Sequence, residues 1–185
     1  MNPLLELHRR HLAAARTETN LVGPGPLDVH YEDARGALRD LRPEGRWADL
    51  GSGAGFPGIV FAAMFPSVAV DLVENRRRRV EFLQRVVEAS RTVAPRPAPL
   101  RVVGRSLRVL PPQTYDGLLA RALAKPPVVL DYARRLLVPG GMVVLFLQAE
   151  ADPPAADDFE VSVVTPYVVD EKRRKSVALV RRLMG

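Results

Sequence analysis

The sequence feature that most constrains the fold is a glycine-rich segment between an apolar strand pattern and an apolar helix pattern. It reads Asp49-Leu50-Gly51-Ser52-Gly53-Ala54-Gly55-Phe56-Pro57-Gly58. Glycines adopt backbone conformations that are closed to other residues, and they let a ligand approach the main chain. The following helix pattern, with Pro57 in its first turn, is expected to offer unpaired amides and a positive dipole end to that ligand.

Strand and helix patterns alternate from residue 46 to residue 147, which predicts a parallel sheet with helices on both faces. The strand patterns cover 47–50, 68–73, 100–103, 115–119 and 142–146, and the helix patterns between them cover 57–64, 76–91 and 128–137. Two further strand patterns, at 159–166 and 176–182, predict an antiparallel edge. The expected fold class is therefore α/β, with a mostly parallel sheet of about seven strands.

The N-terminal part has a different pattern. Apolar residues at helical spacing over 4–15 and 29–41 predict two helices, separated by the Gly-Pro-Gly-Pro run at 23–26. We expect a single domain over 1–185, in which residues 1–45 form a helical cap on an α/β core at 46–185.

Composition excludes several classes of site. The chain has no cysteine, which excludes a disulfide scaffold, a thiolate zinc site and a cysteine nucleophile. The three histidines lack the spacing of metal ligands, so no metal is expected. Neither a signal peptide nor a membrane-spanning pattern is visible, and we expect a cytoplasmic protein that does not bind membranes, with a monomer favoured.

The positive charge is concentrated in one region. Residues 75–108 contain ten arginines and two glutamates, and the run from Arg76 to Arg79 opens a helix pattern. Such a block is typical of a surface that binds a polyanion, and equally of a solvated helix face. Four consecutive arginines point around most of a helix, so at most two of them can share one face.

Glu74 lies at the end of the second strand pattern, 19 residues after Gly55. A carboxylate there can accept hydrogen bonds from both hydroxyls of a ribose. The run 53–58 matches the dinucleotide fingerprint, whereas the wider acid-x-Gly-x-Gly-x-Gly pattern resembles the first motif of S-adenosylmethionine-dependent methyltransferases. The short chain, Pro139-Gly140-Gly141 and the closing antiparallel pair favour the methyl donor, and a turn that binds no ligand is the third alternative.

The chain resembles the RsmG (GidB) family of 16S ribosomal RNA guanine-N7 methyltransferases over most of its length. The strongest part is Phe56-Pro57-Gly58 after the glycines. The other matching elements are Asn20-Leu21, His30 with Asp33, Leu72-Val73-Glu74-Asn75, Glu81-Phe82-Leu83, Val103-Gly104-Arg105, Tyr115-Asp116 and Ala120-Arg121-Ala122.

The resemblance implies a Rossmann-like methyltransferase fold, S-adenosyl-L-methionine as cofactor, and ribosomal RNA or the small ribosomal subunit as partner. The implied cofactor-binding residues are Gly51, Gly53, Phe56, Glu74, Ser106, Leu107 and Arg121. The implied substrate residues are Asn20, His30, Asp33 and Arg105. Guanine N7 has a free lone pair, so no general base is required, and Arg105 and Arg121 are expected to position the target.

This sequence also departs from the family pattern. The departures are Ala15, Arg16, Val29, Ala34, Leu107 and Gln148-Ala149. They concern mainly the RNA-facing side, and the cofactor motif is kept. A methyltransferase with another substrate and a non-catalytic paralogue that binds RNA or protein are therefore the alternatives.

Overall fold

The computed structural model describes residues 2–15, 21 and 25–182. Within these ranges the helices are α1 (Pro3–Ala15), α2 (Leu27–Leu38), α3 (Gly58–Met64), α4 (Arg77–Val93) and α5 (Pro126–Leu136). The strands are β1 (Arg46–Leu50), β2 (Ala69–Val73), β3 (Leu100–Val103), β4 (Tyr115–Ala120), β5 (Leu137–Gln148), β6 (Phe159–Val169) and β7 (Lys172–Arg181). Each strand and helix pattern of the sequence has a counterpart among these elements.

The strands form one sheet in the order β3-β2-β1-β4-β5-β7-β6. Strands β1 to β5 are parallel, and β7 pairs antiparallel with both β5 and β6. The predicted α/β class and the antiparallel edge are thus confirmed. The strand order reverses between the neighbouring strands β1 and β4, because the chain passes from β3 at the edge of the sheet to β4 beside β1. In sheets of this kind, ligands bind at such a reversal, outside the carboxyl ends of the strands.

Helices cover both faces of the sheet. Consecutive residues of a strand point to opposite faces, and Leu118 accordingly belongs to the core under α5, whereas Leu119 belongs to the core under α1 to α4. Burial on both faces explains the continuous apolar runs of the central strands. The division into a cap over 1–45 and a core over 46–185 stays a prediction.

The β6–β7 hairpin is longer than the sequence patterns indicated. The two strands extend to Val169 and from Lys172, and they are joined by Asp170 and Glu171, whose φ angles are 49° and 58°. Two positive φ angles are the mark of a type I′ turn, which suits the twist of a hairpin. Pro166 is tolerated within β6 because this strand lies at the edge of the sheet.

Strand β5 also begins earlier than predicted. Leu137 pairs with Tyr115, the pairing then shifts, and it resumes with Met142 opposite Gly117. The segment Pro139-Gly140-Gly141 is therefore an irregularity inside the strand, where the pairing with β4 shifts and Gly140 has a φ of 79°. Among the described helices, none has the length and apolar character needed to cross a membrane.

Candidate active site

The glycine-rich loop follows β1 and is bound to the end of β2. The amides of Gly51 and Ser52 both donate to the carbonyl of Val73 at 2.9 Å. Gly53 has a φ of 57°, a conformation that residues with a side chain rarely adopt. The loop is thereby held across the carboxyl ends of the two central strands.

Asp49, the acid of the motif, supports this loop from inside. Its Oδ2 accepts a hydrogen bond from the Gly58 amide at 3.0 Å, whereas its buried Oδ1 has no hydrogen-bond partner among the residues that the structure describes. Burial raises the pKa of this carboxyl to about 7. A Cβ at position 58 would lie 2.6 Å from Asp49 Oδ2 and 2.4 Å from Leu72 Cδ2, so close packing requires this glycine.

The expectation that the helix after the loop offers free amides to a ligand is wrong for its first two residues. Helix α3 has only seven residues and begins at Gly58, whose amide is bound to Asp49. The Ile59 amide donates to the carbonyl of Gly55. Because both donors are already used, neither of these amides is free to bind an anion.

Glu74 is buried at the end of β2 and is held by backbone amides. Its Oε1 accepts hydrogen bonds from the amides of Asn75 at 2.8 Å and Arg76 at 3.0 Å, and its Oε2 accepts one from the Gly53 amide at 3.1 Å. The Arg79 guanidinium lies 3.6 Å from Oε2. These contacts orient the carboxylate at the glycine loop, where the spacing in the sequence predicted it.

A cleft of about 210 Å³, here called the Glu74 cleft, lies at the carboxyl ends of the parallel strands. Its lining residues are Gly51, Val73, Glu74, Asn75, Arg76, Arg79, Arg105, Leu107, Ala122 and Leu123. Of the predicted cofactor residues, Gly51, Glu74 and Leu107 line it, and so does Arg105, which was predicted for the substrate. Ser106 is nearby, and its hydroxyl accepts from the Arg108 amide at 3.3 Å.

A second cavity of about 370 Å³, the Arg121 cavity, contains two of the four predicted substrate residues, His30 and Asp33. It is lined by Val29, His30, Asp33, Arg121, Ala122, Phe146, Leu147, Gln148, Tyr167, Val169, Asp170, Lys172 and Arg174. Arg121, predicted for the cofactor, lies here and not in the Glu74 cleft. Asn20 lies outside the described residues.

The centre of this cavity is a hydrogen-bonded cluster around Asp33. Asp33 Oδ2 accepts from Arg121 Nε at 2.9 Å, and Asp33 Oδ1 accepts from the Tyr167 hydroxyl at 2.9 Å. A second nitrogen of Arg121 lies 3.2 Å from His30 Nδ1. Burial and the neighbouring Asp33 raise the pKa of Tyr167, which therefore stays a hydrogen-bond donor. Sequence reasoning missed Tyr167, since no local pattern links it to Asp33.

The two cavities meet at Ala122, which lines both of them. Ala122 has a φ of 53°, a strained conformation for a residue with a side chain, and such strain concentrates at functional sites. The two cavities are therefore neighbours on either side of this residue.

Phe56 lies beneath the site rather than in either cavity. Its ring is buried against the rings of His8, Tyr31 and His30, and the Arg121 guanidinium lies 5.9 Å from its centre. The predicted contact of this ring with the cofactor has no support in the lining of the Glu74 cleft.

His8 connects α1 to the glycine loop, a role that the sequence did not predict. Burial lowers its pKa to about 4, so the ring is neutral at pH 7. Nε2 donates to the Ala54 carbonyl at 2.7 Å, which leaves Nδ1 to accept from the Tyr31 hydroxyl at 2.8 Å. The signal for its burial in the sequence was the position of His8 between Leu4 and Leu12 on the apolar face of α1. Within the described residues, no group of side chains could hold a metal ion.

The chain is similar in sequence to proteins described as ribosomal RNA small subunit methyltransferase G. The family profile described as rRNA small subunit methyltransferase G (GidB) matches residues 4–177. Ribosomal RNA small subunit methyltransferase G of Zymomonas mobilis is 46% identical over 138 residues, which cover 72% of this chain and 58% of that protein. The protein of the same name from Rubrobacter xylanophilus is 31% identical, with coverages of 97% and 76%. The chain thus spans less than two thirds of the Zymomonas relative.

Solved structures with similar architecture include Pyrococcus horikoshii TYW2 in complex with MeSAdo. It superimposes with a TM-score of 0.60 at 14% identity, over 86% of this chain and 63% of that one. At this level of identity the likeness shows the fold alone, and it agrees with the predicted Rossmann-like methyltransferase fold.

Proposed function

The chain belongs to the GidB family of small-subunit ribosomal RNA methyltransferases, and we propose that it transfers a methyl group from S-adenosyl-L-methionine to N7 of a guanine in 16S ribosomal RNA. The observation that carries the proposal is the junction of the Glu74 cleft with the Arg121 cavity at Ala122. A methyl donor and an acceptor base need two adjoining pockets that open to each other.

The residues of the Glu74 cleft fit the methyl donor. Glu74 is anchored by three backbone amides, so its carboxylate is oriented before any ribose hydroxyl binds. Val73, Leu107 and Leu123 provide apolar surface for an adenine ring. When bound, S-adenosylmethionine supplies an electrophilic methyl group on a sulfonium. Gly51, which has a φ of 73°, lines the cleft and has no side chain that could exclude this ligand.

The Arg121 cavity suits an acceptor that needs orientation and no deprotonation. Guanine N7 has an in-plane lone pair and no proton, so catalysis requires the alignment of the base with the methyl group. Asp33 is occupied by Arg121 and Tyr167, and it is therefore not available as a general base. Its function in this proposal is to hold Arg121, whose guanidinium orients the purine.

The test is methyl transfer to small-subunit RNA that lacks the modification. We expect radiolabel from the methyl donor to enter the RNA, and borohydride and aniline to cleave the labelled RNA at one guanine. This treatment cuts the chain only at N7-methylguanine. Arg121→Lys is the matched variant, since it keeps the positive charge but loses the planar donor fork that contacts Asp33 and His30.

Each other outcome contradicts a specific part of the proposal. Label without cleavage would assign the enzyme to another atom or base. Binding of S-adenosylmethionine without transfer to any ribosomal RNA would favour a non-catalytic paralogue. Absence of cofactor binding in calorimetry would contradict the assignment of the Glu74 cleft itself.

A further inference from the structure

The start of β7 carries a basic segment, Lys172-Arg173-Arg174-Lys175, that lies beside the candidate site. In the antiparallel pairing of β5 with β7, Arg174 is opposite Gln148, the last residue of β5. The beginning of β7 is therefore at the same edge of the sheet as the carboxyl ends of the parallel strands. The fold brings this segment to the Arg121 cavity, although it is about 50 residues away from Arg121 in the chain.

The pleat of β7 divides the four cations between two faces. Residues two positions apart share a face of a strand, and Lys172 and Arg174 line the Arg121 cavity, whereas Arg173 and Lys175 do not. Arg173 and Lys175 instead pair with Val168 and Pro166 and line a pocket with them, and Arg174 is also part of that pocket. Lys172 and Arg174 thus present positive charge to the site, whereas Arg173 and Lys175 do not line it.

The charges that face the cavity are available to a ligand. Lys172 is exposed and lies 3.9 Å from Asp170, a loose surface contact that contributes little. Arg174 is half-buried, and in the described part of the chain no carboxylate lies within ion-pair distance of it. The nearby Asp33 is already bound by Arg121 and Tyr167. An incoming anion would therefore not have to displace a strong ion pair.

We propose that Lys172 and Arg174 bind backbone phosphates of the RNA on either side of the target nucleotide. This inference rests on the proposed function, because a guanine in the Arg121 cavity brings its own phosphates to the rim formed by these two side chains. Phosphate contacts of this kind fix the register of a nucleic acid and do not read its sequence.

The test compares the salt dependence of binding between two double variants. The probe is a small-subunit RNA transcript, and its affinity is measured by titration between 50 and 200 mM salt. Each phosphate contact contributes about 0.7–0.9 to the slope of log affinity against log salt, so Lys172→Gln with Arg174→Gln lowers the slope by about 1.4–1.8. Over this fourfold range, wild type then loses about 7- to 12-fold more affinity than the variant.

The matched control is Arg173→Gln with Lys175→Gln, which removes the same charge from the opposite face of the same strand. We expect its slope to stay close to that of wild type. Equal losses of slope in the two variants, or an unchanged slope for the first, would overturn the proposal. Lys172→Arg with Arg174→Lys keeps both positive charges on side chains of similar size. We expect this variant to have the slope of wild type, because the slope depends on charge.

Failure of this inference can be separated from failure of the proposed function. RNA binding is measured without turnover, so the slopes are informative even if wild type transfers no methyl group. Calorimetry with S-adenosylmethionine should give the same affinity for all variants, because Lys172 and Arg174 do not line the Glu74 cleft. A parallel loss of cofactor affinity would show a damaged fold and would contradict a direct phosphate contact.

Discussion

Replacing Tyr167 by Phe removes one hydroxyl from the cluster that holds Arg121. The hydroxyl donates to Asp33 Oδ1 at 2.9 Å, and both residues are about 6% exposed. A hydrogen bond to a charged group contributes about 1.5–3 kcal/mol. Because both residues are buried, solvent does not screen this bond and the figure applies in full. The Phe ring keeps the packing of Tyr167 against Gly36, so the change is confined to the hydrogen bond.

Urea unfolding measures this loss directly. We expect the free energy of unfolding to fall by about 1.5–3 kcal/mol with an unchanged m-value, and the melting temperature to fall by about 3–12 °C. The control is Tyr132→Phe on α5, because the Tyr132 hydroxyl makes no hydrogen bond to any residue that the structure describes. That control should stay within about 0.5 kcal/mol of wild type.

The same variant tests whether the two cavities bind different ligands. Arg121 loses part of the support of Asp33, so kcat/KM for RNA should decrease, whereas the affinity for S-adenosylmethionine should not change. The reasoning is refuted if Tyr167→Phe is as stable as wild type, since the hydroxyl would then contribute nothing to Asp33. A loss of cofactor affinity would contradict the assignment of the methyl donor to the Glu74 cleft, which Tyr167 does not line.

Three further predictions concern the Glu74 cleft and the glycine loop. Glu74→Ala should weaken S-adenosylmethionine binding by about 1.5–3 kcal/mol in calorimetry, and an unchanged affinity would remove Glu74 from the site. Neutralising Arg76 and Arg105 together should flatten the salt dependence of RNA binding. A slope equal to that of wild type would show that neither arginine contacts RNA phosphates. The pKa of His8 is lowered to about 4, so the unfolded chain binds a proton first as pH falls, and stability is lost between about pH 6.5 and 4. The raised pKa of Asp49 acts in the opposite direction up to about pH 7, so wild type should be compared with His8→Gln, which keeps Asp49. The difference between their free energies of unfolding in urea should change by about 2–3 kcal/mol between pH 7.5 and 4.5. A constant difference would contradict a neutral buried His8.

The sequence determined the order of the elements and the place of Glu74 beside the glycine loop. Hydrophobic periodicity depends on neighbours a few residues apart, and it predicted the alternation that builds the parallel sheet. The glycine loop is a local backbone feature, and Glu74 follows it at the end of the next strand. Because β1 and β2 are adjacent and parallel, spacing along the chain was sufficient to bring Glu74 to Gly53.

Only the tertiary structure decided the partners of the buried polar groups. Tyr167 and Asp33 are 134 residues apart, and His8 is 46 residues from the carbonyl of Ala54. Such pairs depend on which segments pack together, and no local periodicity encodes that choice. The division of the β7 cations between two faces likewise required the register of the hairpin, since a shift by one residue would have exchanged Lys172 and Arg174 with Arg173 and Lys175.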